Sequence, residues 1–251
     1  RSYSWETANH AWEDLRMAVY AAMIDCMDQN IGRILQTLAD EGIEKNTLIM
    51  FLSDNGGCAE EPGGRNPQAV PGPKQYYTAV GPAWGWAQNT PFRRYKSWVH
   101  EGGISTPLIA RWPATVKPNT RTNQVGHLID FMPTFMEMAG ATYPKQVKGE
   151  NILPLEGKSL VPVFQGKPRV PHETLCWEWS GNRAIRQGKW KCVWDKLVGQ
   201  WELYDVVADR TETEDLAQQN PERTEAMAAA WTKWARDTGA LKKKKSSKPK
   251  K

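Results

Sequence analysis

The chain has no stretch of eighteen consecutive apolar residues, which excludes a membrane-spanning helix. Cysteine is scarce. Cys26, Cys58, Cys176 and Cys192 are the only four, and their spacings fit neither a zinc site nor a close redox pair. Cys176 and Cys192 fall in segments that read as neighbouring strands, which leaves open both a disulfide in an oxidising compartment and two buried thiols. There is no internal repeat, no basic stripe interleaved with aromatics and no charged-then-apolar targeting segment at the start. The first residue is Arg1 rather than methionine, so the chain reads as a fragment or processed product. The body also lacks net positive charge. The formal charge is +5, but seven lysines lie between Lys242 and Lys251, and without them the remainder carries −2. Specific nucleic-acid recognition is therefore not expected, and residues 240–251 read as a disordered, solubilising lysine-rich tail.

What is present suits an ordinary globular protein. The 251 residues are 40% hydrophobic and 24% charged, enough for one large domain or for a core with a smaller unit. From Asn9 to Asp40, Val19, Met23, Met27, Ile31, Ile34, Leu35 and Leu38 recur at helical spacing and mark one apolar face. Thr7 or Asn9 suits the helix start, and Gly42 suits the left-handed turn at its end. The run Thr47–Leu52 then reads as a short buried strand, half of a parallel α/β repeat.

From about Gly56 to Thr90 the chain is rich in Gly and Pro, a long loop of the functional kind. A second buried strand is expected at Leu108–Trp112 and a short amphipathic helix at Leu128–Ala139. Residues 144–171 are punctuated by proline and read as a surface connection. Strands are then expected at Thr174–Trp179, Arg183–Arg186, Trp190–Trp194 and Glu202–Tyr204. A Gln187-Gly188 hairpin turn joins two of them, and a final helix follows at Pro221–Thr238.

Ser53-Asp54-Asn55-Gly56-Gly57 follows the first strand directly, where ligands collect in open α/β sheets. Asp54 and Asn55 offer hard oxygen donors suited to calcium or magnesium, although Asp, Asn and Gly are also the ordinary residues of a turn. Downstream lies Asn89-Thr90-Pro91-Phe92-Arg93-Arg94-Tyr95-Lys96, then Ser97-Trp98-Val99-His100-Glu101-Gly102-Gly103-Ile104-Ser105-Thr106-Pro107. With YAAMIDCMDQNIGRIL before and LIMFLSDNGG between, this order resembles the sulfatase family of the alkaline-phosphatase-like superfamily. The likeness runs from about Tyr20 to Thr134 and resumes at Trp201–Leu216.

That resemblance implies roles. Asp54 and Asn55 match the family's second pair of calcium ligands, with magnesium the second choice of metal. Lys96 matches a lysine that contacts the sulfate group and the leaving oxygen, a role that suits a compact ammonium charge. His100 either hydrogen-bonds substrate or packs to hold its loop, and Glu101-Gly102-Gly103 reads as a structural turn. Trp84, Trp86 and Trp98 could stack on a sugar or aryl group, but among thirteen tryptophans a structural role is the simpler reading.

The family's nucleophile is a formylglycine made from Cys or Ser in a Cys/Ser-x-Pro-x-Arg motif, and no cysteine or serine here is followed by that pattern. The resemblance thus implies a carboxy-terminal fragment of a calcium-dependent sulfuric ester hydrolase, with the formylglycine and the first metal ligands upstream of Arg1. The missing amino-terminal part is then its partner, and the fragment alone is expected to be inactive.

The implied fold is α/β, part of a mixed, mostly parallel sheet flanked by helices, with a small carboxy-terminal antiparallel sheet and helix. Residues 1–143 would be the carboxy-terminal portion of the catalytic domain, 144–171 a surface connection, 172–239 a small subdomain and 240–251 the tail. The implied substrate is a sulfated small molecule or sulfated carbohydrate, in a secreted, periplasmic or lysosomal location. The competing readings are a phosphonate or phosphodiester hydrolase of the same superfamily and a non-catalytic relative that binds sulfated glycans.

Overall fold

A computed structural model describes residues 9–60 and 70–241. Thr7 and residues 242–251 of the lysine tail lie outside the described residues, while Ala240 and Leu241, expected at the edge of that tail, pack against the core beside α6. The chain divides into two compact units, one formed by Arg1–Asp25, Ser53–Thr106 and Thr174–Lys251, the other by Cys26–Leu52 and Pro107–Glu173. No helix among the described residues is long and apolar enough to cross a membrane.

The first unit is built on a four-stranded antiparallel sheet of β5 (Leu175–Trp179), β6 (Asn182–Gln187), β7 (Trp190–Asp195) and β8 (Gln200–Asp205), paired in chain order. Tight turns dictate that order. Ser180 and Gly181 both take positive φ, 53° and 89°, the twist a two-residue hairpin requires. Gly188 turns the next hairpin with φ 59°.

Alternation along the strands gives the sheet two buried faces. On one face, Ile185, Cys192 and Leu203 pack against Met227, Trp231 and Ala235 of α6 (Pro221–Asp237), residues spaced four apart along one side of that helix. Trp231 Nε1 also donates to the carbonyl of Trp177 at 2.9 Å. On the other face, Ala184, Val193 and Tyr204 pack with Val99 and Val206. Two further helices precede the sheet in sequence, α2 (Gly81–Asn89) and α3 (Glu101–Ile104).

α1 (His10–Asp40) begins and ends as its sequence dictates. Asn9 Oδ1 accepts from the backbone N–H of Trp12 at 3.1 Å. Gly42, at φ 68°, closes the helix as Gly42 N–H bonds Ala39 O at 3.0 Å and Ile43 N–H bonds Leu38 O at 3.1 Å. In the first unit, Glu13 and Arg16 are buried as an ion pair at 3.0 Å, and Arg16 also donates to the carbonyl of Ala79.

In the second unit β1 (Ile49–Phe51) pairs with β2 (Ile109–Arg111), and β3 (Gln146–Val147) pairs with β4 (Glu150–Asn151). α4 (Phe131–Met138) follows a 3₁₀ turn over Leu128–Asp130, and α5 (Val161–Phe164) buries Val161 and Phe164. Asp130 is fully buried and organises this unit. It accepts from the backbone of Lys158 at 2.8 Å, the backbone of His127 at 2.9 Å, Arg169 at 2.8 Å and His172 at 2.7 Å. Burial pushes its carboxyl up, but the bonds from Lys158 and Arg169 outweigh that and hold it below the usual range.

The structure corrects several expectations. The fold is α/β, but every sheet is antiparallel rather than mixed or mostly parallel: Met50 faces Ala110 in an antiparallel ladder. A short apolar run carries no information about its direction, and here its partner approaches from the opposite end. The four-stranded sheet occupies residues 175–205, within the chain rather than only at its carboxy terminus. Nor are β1 and β2 fully buried, since Phe51 is 41% and Ile109 61% exposed.

The apolar face of α1 is likewise open, with Met23 65% and Ile34 59% exposed, because helical period marks a face without saying what covers it. The long loop contains α2, which its Gly and Pro content concealed. Cys176 and Cys192 are not on neighbouring strands. Both flank Ile185 of the strand between them, roughly 9–10 Å apart by strand spacing, beyond disulfide reach, and none of the four cysteines is in a disulfide.

Candidate active site

Lys96 sits on an irregular loop between α2 and α3, and close backbone approach shapes that loop. Gly102 N–H bonds Arg93 O at 2.9 Å, Gly56 N–H bonds Gly103 O at 3.0 Å and Lys96 N–H bonds Gly57 O at 3.1 Å. A Cβ at Gly102 would overlap the carbonyls of Arg93 and Arg94, and one at Gly103 the carbonyl of Trp98. The Glu-Gly-Gly turn therefore needs its glycines for room rather than for positive φ. Strain lies elsewhere. Arg94 (φ 68°) and Ser97 (φ 80°) adopt left-handed backbone on either side of Lys96.

The face of the sheet opposite α6 holds this loop from beneath. Arg93 donates to Tyr204 Oη at 2.6 Å and lies 3.4 Å from Glu202 Oε1, while Arg94 donates to Asp195 Oδ2 at 2.6 Å. Asn182 Nδ2 donates to the carbonyl of Ser97 at 2.7 Å. His100, fully buried, places Nε2 3.0 Å from Glu202 Oε2. Lys191, also fully buried, lies 2.8 Å from both Glu101 and Glu212, and Glu212 accepts from the backbone N–H of Glu101 at 2.7 Å.

Burial works to raise the Glu202 carboxyl, but His100 and Arg93 outweigh it and hold it low. Burial works against the Lys191 ammonium, but Glu212 and Glu101 hold it above the usual lysine range.

The Lys96 side chain points to other partners. Nζ lies 3.2 Å from Glu60 Oε2 and 3.9 Å from Cys58 Sγ, and Glu60 Oε1 accepts from Ser97 Oγ at 3.3 Å. The hydrogen bond to Glu60, then the nearby Cys58, hold the Lys96 ammonium above its ordinary range, and Asp54 adds to the effect. In return Lys96 holds the Glu60 carboxyl low. One carboxylate thus spans an ammonium and a hydroxyl, an arrangement suited to binding an oxyanion.

The structure thus brings Asp54 and Lys96 within electrostatic reach and buries His100 on the sheet. Asp54 is exposed, and Asn55 turns its amide Nδ2 to the carbonyl of Gly56 at 3.0 Å. Sequence reading missed Glu60, Asn182, Asp195, Glu202 and Glu212, which stand in no motif of their own. Lys191 did leave a signal: a lysine inside the apolar run Trp190–Trp194 breaks the pattern of an apolar strand.

A family model described as Sulfatase matches residues 2–141, and one described as N-sulphoglucosamine sulphohydrolase, C-terminal, matches residues 92–236. An uncharacterized sulfatase of Schizosaccharomyces pombe is 32% identical over 95% of this chain and 47% of its own length. An arylsulfatase of Klebsiella aerogenes is 32% identical over 61% of this chain and 36% of its own length. Among solved structures, Ps i-CgsB in complex with k-i-k-neocarrahexaose superposes with TM-score 0.65 at 25% identity, covering 86% of this chain and 42% of that one. The chain spans about half or less of the length of these relatives.

Two expectations are corrected here. The chain is not a carboxy-terminal remnant with its catalytic domain upstream, because the Sulfatase model matches it from residue 2 to residue 141. The expectation that the catalytic domain as a whole, with its formylglycine, belongs to a separate amino-terminal partner is corrected to the same extent, since residues 2–141 of this chain themselves match the Sulfatase model. Calcium is not supported either. Among the described residues no group of three or more His, Cys, Asp or Glu side chains could hold a metal ion. A calcium ion takes roughly six to eight oxygens, and Asp54 with Asn55 supplies only two side chains toward that number.

Proposed function

Because the chain belongs to the sulfatase family, we propose that it serves a sulfuric ester hydrolase in which Lys96 meets the sulfate group. The observation that carries this reading is the Glu60 carboxylate at Lys96 Nζ and Ser97 Oγ, an internal oxyanion where a sulfate oxygen would bind. Hydrolysis of a sulfate ester breaks an S–O bond and leaves negative charge on the departing oxygen. A fixed ammonium stabilises that charge as it develops. Lys96 is suited to the task as a compact ammonium, charged at neutral pH. His100 supports the same loop from the sheet side.

The substrate class we infer is an aryl sulfate or a sulfated carbohydrate, on the strength of relatives described as an arylsulfatase and as a complex with a neocarrahexaose. Family resemblance alone suggests a secreted, periplasmic or lysosomal setting. The test compares turnover of 4-nitrophenyl sulfate, a monosulfated sugar and an aryl phosphonate monoester by the protein carrying this chain. Faster turnover of a sulfate ester is expected. Preference for the phosphonate, or glycan binding with no turnover of any ester, would overturn the proposal.

A further inference from the structure

We propose that Asn182 and Asp195, at one end of the four-stranded sheet, are positioning residues that fix where Lys96 points. The inference rests on the reading of Lys96 as the sulfate-facing group. β6 and β7 pair antiparallel with Arg183 opposite Trp194, so Asn182 and Asp195, the next residues outward, stand side by side. Both are buried, at 1% and 0% exposure. Each has one polar atom committed to the sheet's own turn: Asn182 Oδ1 accepts from Lys196 N–H at 3.1 Å, and Asp195 Oδ1 from Leu197 N–H at 2.8 Å. The remaining atom of each reaches the Lys96 loop. Asp195 Oδ2 takes the guanidinium of Arg94 at 2.6 Å, and Asn182 Nδ2 donates to the carbonyl of Ser97 at 2.7 Å.

Arg94 and Ser97 are the two residues near Lys96 with positive φ, a conformation that side-chain-bearing residues keep only when their surroundings enforce it. Arg94 is further fixed by its guanidinium over the Trp98 ring, 5.2 Å from the centroid. The grips therefore fall on the two strained joints that set the direction of the Lys96 side chain. Neither Asn182 nor Asp195 touches Lys96 itself. With either grip released, the joint relaxes and Lys96 Nζ leaves Glu60.

The experiment follows the pH titration of the Lys96 side chain by carbon-13 NMR in the full chain, for the unchanged protein and for Asp195→Asn, Asn182→Asp and Arg94→Gln. Asp205→Asn, at the end of β8 that pairs with Trp190 at the far end of β7, is the control. Arg94 is partly exposed, so Arg94→Gln breaks the same contact while leaving Asp195 itself unsubstituted. The unchanged chain and the control are expected to titrate above 10.5, and the three variants to move down toward that value. A folded Arg94→Gln or Asp195→Asn whose Lys96 titrates like the unchanged chain would overturn the proposal.

Inorganic sulfate affinity, measured on the same samples, separates this proposal from the sulfate reading. The variants should bind sulfate about tenfold more weakly, and the loss should vanish in a Lys96→Ala background. A Lys96 shift without any change in sulfate affinity keeps the positioning role and refutes the sulfate role. An equal loss in the Lys96→Ala background refutes positioning, since the effect would then not pass through Lys96.

Discussion

Lys191 Nζ lies 2.8 Å from Glu212 Oε1, with both side chains fully shielded from solvent. Glu101 completes the triad at 2.8 Å, so one ammonium bridges two carboxylates brought in by the Glu-Gly-Gly turn and by the segment after β8, with Arg210 3.4 Å from Glu101 Oε2. Removing the cation leaves both anions buried. Lys191→Met is therefore expected to cost about 3–5 kcal/mol, read as a fall in the urea midpoint.

The same triad predicts a pH window. Burial raises the Glu101 carboxyl, but Lys191 outweighs it and holds it below its ordinary 4.5. Its contribution to stability is thus complete above pH 4.5 and is lost as pH falls through the folded value. Lys191 is held above its ordinary 10.5, so its contribution is complete below pH 10.5 and is lost as pH rises through the folded value. Urea midpoints of the unchanged chain and of Lys191→Met should differ most between these limits and converge toward either extreme. A constant difference from pH 2 to pH 12 would contradict the assignment.

Gly102→Ala should be costly although its φ is unremarkable. The new methyl meets the carbonyls of Arg93 and Arg94, residues whose side chains are tied to Glu202, Tyr204 and Asp195. A loss of about 1–3 kcal/mol is expected from overpacking, together with weaker sulfate binding. Gly32→Ala, where a Cβ meets nothing within 4 Å, serves as the comparison and should not destabilise the fold.

Glu60→Gln should strengthen anion binding. Glu60 competes with any incoming oxyanion for Lys96 and Ser97, and removing its charge frees both. Sulfate affinity should rise several-fold by titration calorimetry, and the Lys96 pKa should fall toward 10.5 because its first cause is the bond to Glu60. Weaker sulfate binding in Glu60→Gln would mean that the carboxylate assists the anion instead of competing with it.

Local features were legible in the sequence where a single residue decides the geometry. Asn9 and Gly42 bound α1, and the hairpin expected at Gln187-Gly188 forms one residue later, over Gly188 and Lys189, because caps and turns are set by the chain's own neighbours. The pairing of β1 with β2 was not legible. Direction depends on a partner some sixty residues away, and the run Ile49–Phe51 is compatible with either sense. Lys96 was legible only through its neighbours in sequence. The residues that hold its loop, Asn182, Asp195 and Glu202, come from a distant sheet and bear no local mark of the role. The sequence leaves His100 open to substrate contact or to packing, and the structure buries it on Glu202.

The most direct measurement is the steady-state hydrolysis of an aryl sulfate by the protein carrying this chain, with Lys96 intact, as Lys96→Ala and as Lys96→Arg. If Lys96 stabilises the sulfate group and its leaving oxygen, Lys96→Ala should lower kcat/KM by about 10²–10³-fold with the circular dichroism spectrum unchanged. Lys96→Arg should recover part of the loss, since it restores the charge but not the compact ammonium. A folded Lys96→Ala that hydrolyses the ester at the unaltered rate would contradict the account.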